Sequence, residues 1–176
     1  MKLINYKMRK IILFIAVSLD GFIAGEKGEV DWLFHDQDYG YKKFLDGIGV
    51  ILMGFETYKK CLSFEEWPYK GKKCYVFTRK TGLPTDNNAE FINNPIEFTK
   101  KLKRLKGKDI WLVGGEKINS LLLNERLLDE IIIYIHPIIL GRGIALAENL
   151  NKEIKLKLIN CKRYDSGLVQ LDYKVL

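Results

Sequence analysis

The sequence predicts an α/β fold in which helices cover both faces of a mostly parallel sheet. Apolar runs alternate with amphipathic stretches along most of the chain, which is typical of successive strand and helix units. The final two runs alternate residue by residue around a turn sequence, which predicts a terminal antiparallel hairpin. With 176 residues, 47% hydrophobic and 29% charged, the chain has the composition of a globular protein, and we expect one domain over residues 1–176.

Apolar runs rich in Val, Ile and Phe are predicted to form the buried strands of the sheet. They span residues 11–19, 48–53, 73–78, 110–113 and 131–140. The first run follows basic residues and imitates a signal peptide, but cleavage after Ala24 would leave bulky Phe22 where a small residue is needed. We therefore interpret this run as the first strand of a cytoplasmic protein, with residues 1–8 as a short extension.

The clearest predicted helix spans Asn94 to Lys106. Asn94 can cap the helix, Pro95 suits its first position, and Glu97 completes a capping pattern. An apolar stripe is formed by Phe98, Leu102 and Leu105.

The terminal hairpin is predicted from two alternating runs on either side of Asp165-Ser166-Gly167. The members of these runs are Ile154, Leu156 and Leu158, followed by Val169, Leu171, Tyr173 and Val175.

Charge and cysteine content exclude several classes of protein. The net charge of +7 attracts anions in general without identifying one. Cys61, Cys74 and Cys161 are an odd number without a CxxC pair, and the chain has two histidines, so neither a metal site nor a disulfide framework is expected. No apolar run reaches the roughly 18 residues of a membrane helix.

Candidate ligand-binding residues follow the predicted strands, because ligands of open α/β sheets bind beyond the carboxyl ends of the strands. Gly114-Gly115 follows one strand and opens an amphipathic helix, and Gly54 precedes Thr57 at the start of another helix. Both are candidate anion sites, since helix starts present free N–H groups. Thr78 and Arg79 follow a third strand and suit a single phosphate. A dinucleotide would place its pyrophosphate at the glycines and its ribose 2′-phosphate at Thr78 and Arg79.

The order of these motifs resembles a known family. The stretch Ser18-Leu19-Asp20-Gly21-Phe22-Ile23-Ala24 resembles the first-strand motif of the reductase domain of the bifunctional riboflavin-biosynthesis deaminase/reductase. Val113-Gly114-Gly115, Leu128-Asp129-Glu130 and Gly141-Arg142-Gly143 resemble the second half of that domain. Residues 53–58 and 71–79 are similar to dihydrofolate reductase, a structural relative. The resemblance covers roughly residues 9–175.

The resemblance implies a dihydrofolate reductase-like three-layer sandwich with a mixed, mostly parallel sheet of about eight strands. It implies NADPH as the cofactor. Ala16 would lie by the nicotinamide, Gly54 and Thr57 would receive the pyrophosphate, and Thr78 with Arg79 would receive the 2′-phosphate. Gly114 and Gly115, through a cis peptide, would pack against the cofactor. Beyond them in the chain would follow Glu116, Lys117 and Ile118.

Two departures from the relatives bear on the substrate. Dihydrofolate reductase has arginines where Phe55 and Lys72 stand, the second of which binds the folate glutamate, and a lysine is a poorer bidentate clamp. The riboflavin reductase uses an Asp-Pro segment and an arginine on its substrate's phosphate, and residues 61–72 lack both. The deaminase domain is also missing, so the chain resembles a stand-alone reductase.

The predicted activity is NADPH-dependent hydride transfer to a C=N bond of a pyrimidine- or pteridine-like small molecule, with dihydrofolate reduction as the alternative. The proton needs an acid, and Asp20 and Asp31 are the candidates, although Asp20 fits a turn role equally well. A cofactor-binding protein without catalysis also stays open.

A nucleic-acid-binding module is disfavoured, because the basic residues of helix 94–106 are not interleaved with exposed aromatics. A homodimer is compatible with the sequence, which does not give the oligomeric state, and no membrane partner is expected.

Overall fold

The computed structural model describes residues 8–176. Its strands are β1 (Ile11–Ser18), β2 (Phe22–Ala24), β3 (Ile48–Gly54), β4 (Lys73–Phe77), β5 (Glu90–Ile92), β6 (Asp109–Gly114), β7 (Glu130–His136), β8 (Ile144–Ala145), β9 (Leu156–Arg163) and β10 (Val169–Val175). Its helices are α1 (Tyr41–Asp46), α2 (Phe55–Leu62), α3 (Pro95–Arg104) and α4 (Glu116–Asn124). The extension predicted over residues 1–8 lies, except for Met8, outside the described residues.

Eight of the described strands form one mixed sheet in the order β5-β4-β3-β6-β1-β7-β10-β9. Neighbours from β5 to β7 are parallel, whereas β10 runs antiparallel to both β7 and β9. The predicted mostly parallel sheet and its terminal hairpin are therefore confirmed. Strands β2 and β8 form a separate antiparallel pair.

Alternating side chains of the central strands build a hydrophobic core on each face of the sheet. On one face Leu13 and Ile15 of β1 belong to a cluster that includes Leu102 of α3 and Leu122 of α4. On the other face Trp111 of β6 belongs to a cluster with residues of α1 and α2. Because helices cover both faces, the molecule has the predicted three layers.

Two predicted elements end two or more residues early, and each difference has a local cause. The helix predicted to reach Lys106 ends at Arg104, because Leu105 is already extended. The strand predicted over residues 131–140 ends at His136, because Pro137 has no N–H for the ladder. The cap is as predicted, since the Asn94 side chain accepts a hydrogen bond from the Glu97 N–H at 3.3 Å. Within residues 8–176, no helix has the length and apolar character needed to cross a membrane.

Candidate active site

The carboxyl ends of β3 and β6 bring two predicted glycine motifs together. A Cβ atom on Gly54 would lie 3.8 Å from both the Gly114 carbonyl oxygen and Cγ2 of Ile118. A Cβ atom on Gly115 would lie 3.6 Å from Oγ1 of Thr57. We call these residues, Gly54, Thr57, Gly114, Gly115 and Ile118, the glycine cleft. Its glycines keep open a space that larger residues would narrow.

Backbone N–H groups are available to an anion in the glycine cleft. Gly54 and Gly115 are the N-cap residues of α2 and α4 and have no side chains with which to cap them. The Gly114–Gly115 peptide is cis, as the resemblance implies, and Gly114 has a φ of +116°, which favours glycine. Glu116 and Lys117 begin α4, where Glu116 is half-buried and Lys117 is exposed.

The predicted phosphate residues Thr78 and Arg79 form a turn after β4. The Thr78 N–H donates to the Ile92 carbonyl at 3.1 Å, and its hydroxyl oxygen accepts from the Lys80 N–H at 3.0 Å. Arg79 is exposed at the top of this turn. The Lys80 ammonium lies 4.4 Å from the ring centroid of Phe55, the first residue of α2. The basic turn is therefore adjacent to the helix that begins at the glycine cleft.

A second concave feature lies at the carboxyl ends of β1 and β7. It has a volume of about 490 Å³, and we call it the aromatic cavity. Its lining residues are Phe14, Ala16, Leu33, Phe34, His35, Gln37, Asp38, Tyr39, Tyr41, Tyr134, His136 and Leu168. Ala16, the residue predicted to lie by the nicotinamide, therefore lines this cavity.

The loop that closes the aromatic cavity is held to β7 by polar and aromatic contacts. Nε2 of His136 accepts a hydrogen bond from the Phe34 N–H at 3.3 Å, and its Nδ1 lies 3.3 Å from the Tyr134 carbonyl. The imidazole also packs against the rings of Trp32 and Phe34, at centroid distances of 5.2 and 5.0 Å. The Tyr134 hydroxyl donates to the Tyr39 carbonyl at 2.9 Å. Burial lowers the pKa of His136 and raises the pKa of Tyr134.

The two predicted acids lie away from the lining of the aromatic cavity. The Asp20 carboxylate accepts hydrogen bonds from the Ser18 hydroxyl at 2.6 Å and from the N–H groups of Leu140 at 3.1 Å and Gly141 at 2.8 Å. These contacts, led by the Ser18 hydroxyl, lower the pKa of Asp20. Asp31 is exposed beside Trp32 in the covering loop. Asp20 is thus built into a turn, whereas Asp31 has no such fixed role.

Sequence reasoning missed the aromatic walls of the cavity. Tyr39 lies in a loop, Tyr41 is the first residue of the short helix α1, and Tyr134 is one residue of an ordinary apolar strand. The available signal was the density of aromatic residues between positions 32 and 41, in a stretch that did not read as helix or strand. His136 both supports the loop and lines the cavity.

The strand order, the three layers and the eight-stranded sheet with its antiparallel end define the dihydrofolate reductase-like class of fold. The model of the family described as the RibD C-terminal domain matches residues 9–170. The chain therefore belongs to the RibD C-terminal domain family.

Individual relatives agree with this assignment. The chain is 42% identical over 182 residues to the uncharacterized protein YyaP of Bacillus subtilis, covering 96% of each chain. A structure of a putative riboflavin biosynthesis protein from Shewanella sp. PV-4 has a TM-score of 0.84 and 28% identity, over 95% of this chain and 99% of that one. Dihydrofolate reductase from Enterococcus faecalis, complexed with NADP(H), has a TM-score of 0.72 at 12% identity, over 94% and 96% of the two chains, and so shares the fold.

Proposed function

We propose that the protein is an NADPH-dependent reductase that transfers hydride to a C=N bond of a pyrimidine- or pteridine-like heterocycle. One observation carries this proposal: β1, whose Ala16 lines the aromatic cavity, is the hydrogen-bonded neighbour of β6, whose end carries Gly114 and Gly115. A cofactor that extends from the glycine cleft across the carboxyl end of β1 would therefore bring its reactive ring close to a planar substrate in the cavity.

The residues of the glycine cleft fit the predicted cofactor. The space kept open by Gly54 and Gly115 and the free N–H groups of α2 and α4 suit a pyrophosphate. Thr78 and Arg79 would hold the 2′-phosphate, since a guanidinium is a strong phosphate partner. When bound, NADPH would supply the hydride, and the chain's own residues would supply position and a proton route.

Of the two predicted acids, Asp31 is the better candidate for the proton needed at the substrate nitrogen. Asp20 is a poor donor, because its hydrogen bonds stabilise the ionised carboxylate. We therefore propose that Asp20 acts by holding the turn at Leu140 and Gly141. Because Asp31 lies in the covering loop outside the cavity lining, its proton would have to pass to the substrate through an intervening water. Trp32 and Phe34, which pack on His136, would limit the access of water.

Steady-state consumption of NADPH with two substrates tests the proposal. A ribosylamino-pyrimidine is ranked first, because residues 18–24 and 128–143 resemble the riboflavin branch, and dihydrofolate is ranked second. We expect a higher kcat/KM for the pyrimidine. Turnover of dihydrofolate with none of the pyrimidine would reverse the ranking. No turnover of either, with NADPH bound, would contradict the ranking of these two substrates and favour a different, unidentified substrate.

A further inference from the structure

We infer that the aromatic cavity takes a planar heterocycle that carries no phosphate or carboxylate group. The inference rests on the proposed function, which makes this cavity the substrate site, and it narrows the class of substrate. The phosphoribosyl pyrimidine and dihydrofolate both carry an anionic group, and both relatives resembled by this chain use an arginine for it. Among the described residues that line the aromatic cavity there is no counterpart of that cation.

The lining of the cavity is aromatic and carries the wrong charge for an anion. Five of its lining residues carry aromatic rings, which suit the flat face of another ring: Phe14, Phe34, Tyr39, Tyr41 and Tyr134. Within residues 8–176, no lysine or arginine lines it.

Two carboxylates in and beside the aromatic cavity would repel a negatively charged group on a ligand. Asp38 lines the aromatic cavity, and Asp36 lines a smaller cavity of about 260 Å³ that shares Leu33, Phe34 and His35 with it. A phosphate would be repelled by these carboxylates. A ring amino group or N–H could instead donate to Asp38 or to the Gln37 amide oxygen.

The lysines that could have replaced the relatives' arginines have other partners. The Lys72 ammonium donates to the carbonyls of Leu45 and Ile48, both at 2.8 Å, and so joins α1 to β3. Moving it to a ligand would leave those carbonyls without this donor.

The two lysines on either side of Lys72 form ion pairs. Lys70 pairs with Glu66 at 2.9 Å, and Lys73 pairs with Glu90. The lysines that correspond to this anion-binding segment therefore already contact carbonyls or carboxylates, most firmly at Lys72, because the other two ion pairs are exposed and weak.

A matched pair of probes tests the inference by binding alone. The probes are 5-amino-6-(ribosylamino)uracil and its 5′-phosphate, titrated calorimetrically into the full chain without cofactor. We expect the phosphate-free form to bind at least as tightly, with a preference on the order of threefold, since exposed charges interact weakly. Tighter binding of the phosphate would overturn the inference, and so would failure of both probes to bind.

Two substitutions make the comparison specific to the cavity. Asp38 accepts from the Lys42 N–H at 3.2 Å, and asparagine can keep that contact, so Asp38→Asn should fold and reduce the penalty against the phosphate. Gln37→Arg adds the missing cation and should reverse the preference to about tenfold for the phosphate. Glu153→Gln, an exposed residue outside the lining, is the control for loss of a carboxylate.

A parallel titration with NADPH separates this inference from the proposed function. Absence of NADPH binding would contradict the proposed reductase. The comparison of the two probes would still test the inference, because the probes are titrated without cofactor. Normal NADPH binding with a preference for the phosphorylated probe, or with unchanged preference in both Asp38→Asn and Gln37→Arg, would overturn the inference alone.

Discussion

Two charged side chains near the site, Asp20 and Lys72, have hydrogen-bond partners that make them less available for catalysis or for ligand binding. The Asp20 carboxylate is held by three donors, and the Lys72 ammonium is held by two carbonyls. Each has the right chemical type for catalysis or for anion binding, yet its contacts favour a structural role. Partners, more than residue type, therefore decide which groups are available to a ligand.

Arg79 gives the most direct test of cofactor choice at the residue scale. We expect Arg79→Ala to lose about tenfold to a hundredfold in NADPH affinity, because a charge-assisted contact is removed, and to bind NADPH and NADH about equally. Affinities come from fluorescence titration. The control is Arg104→Ala, which removes the same charge from the exposed end of α3. An unchanged ratio of NADPH affinity to NADH affinity in Arg79→Ala would show that Arg79 does not contact the 2′-phosphate.

His136 is expected to make stability depend on pH. Burial lowers its pKa, so the unfolded chain binds a proton more readily than the folded one below the ordinary value of about 6.5. The free energy of unfolding should therefore fall as the pH drops from about 6.5 through the lowered pKa. Asp20 and Glu97, with lowered carboxylate pKa values, lose their contributions in a more acidic range.

Urea denaturation at several pH values checks this expectation. The native chain should lose stability as the pH falls below about 6.5, and His136→Gln, which can still accept from the Phe34 N–H, should lose less. Equal slopes for the two proteins would show that His136 is not the titrating group.

Elements with local signals could be predicted from the sequence. Helix α3 has its cap, proline and apolar stripe within a few residues, and the hairpin of β9 and β10 follows from alternation around Gly167. Strands β2 and β8 have only three and two residues. The Asp20 carboxylate, which follows β1, accepts from the N–H groups of Leu140 and Gly141, which precede β8. No local pattern marks such short strands.

The capping of α3 is testable by stability. Asn94→Ala should reduce the free energy of unfolding by about 1 kcal/mol, because the Glu97 N–H loses its acceptor. Asn94→Asp keeps an acceptor and should stay close to the native chain. Urea denaturation measures both. An alanine variant as stable as the native chain would mean that the cap contributes nothing.

The junction of β6 and α4 is testable by filling the glycine cleft. We expect Gly115→Val to abolish NADPH binding while the chain stays folded, because its φ is negative and the new side chain would occupy the space facing Thr57. Gly115→Ala adds a single carbon at ordinary contact distance and should have a smaller effect. Melting temperature reports folding and cofactor fluorescence reports binding. Tight NADPH binding by folded Gly115→Val would show that the two glycines form a turn and do not make room for the cofactor.

At the scale of the whole molecule, the site is assembled from strands that are distant in sequence. The neighbourhood of Gly54 and Gly114 was predictable, because parallel strands end at the same edge of the sheet. The aromatic cavity was not predictable, because Tyr134 meets Tyr39 across 95 residues without any local signal. Sheet order thus explains why the sequence indicated a cofactor cleft more clearly than a substrate cavity.

We propose that the glycine cleft holds NADPH with its nicotinamide toward Ala16. A crystal structure of the chain grown with saturating NADPH tests this proposal. We expect the pyrophosphate at the starts of α2 and α4, the 2′-phosphate at Thr78 and Arg79, and the nicotinamide at the opening of the aromatic cavity. Cofactor bound elsewhere, or crystals without cofactor despite saturation, would contradict it.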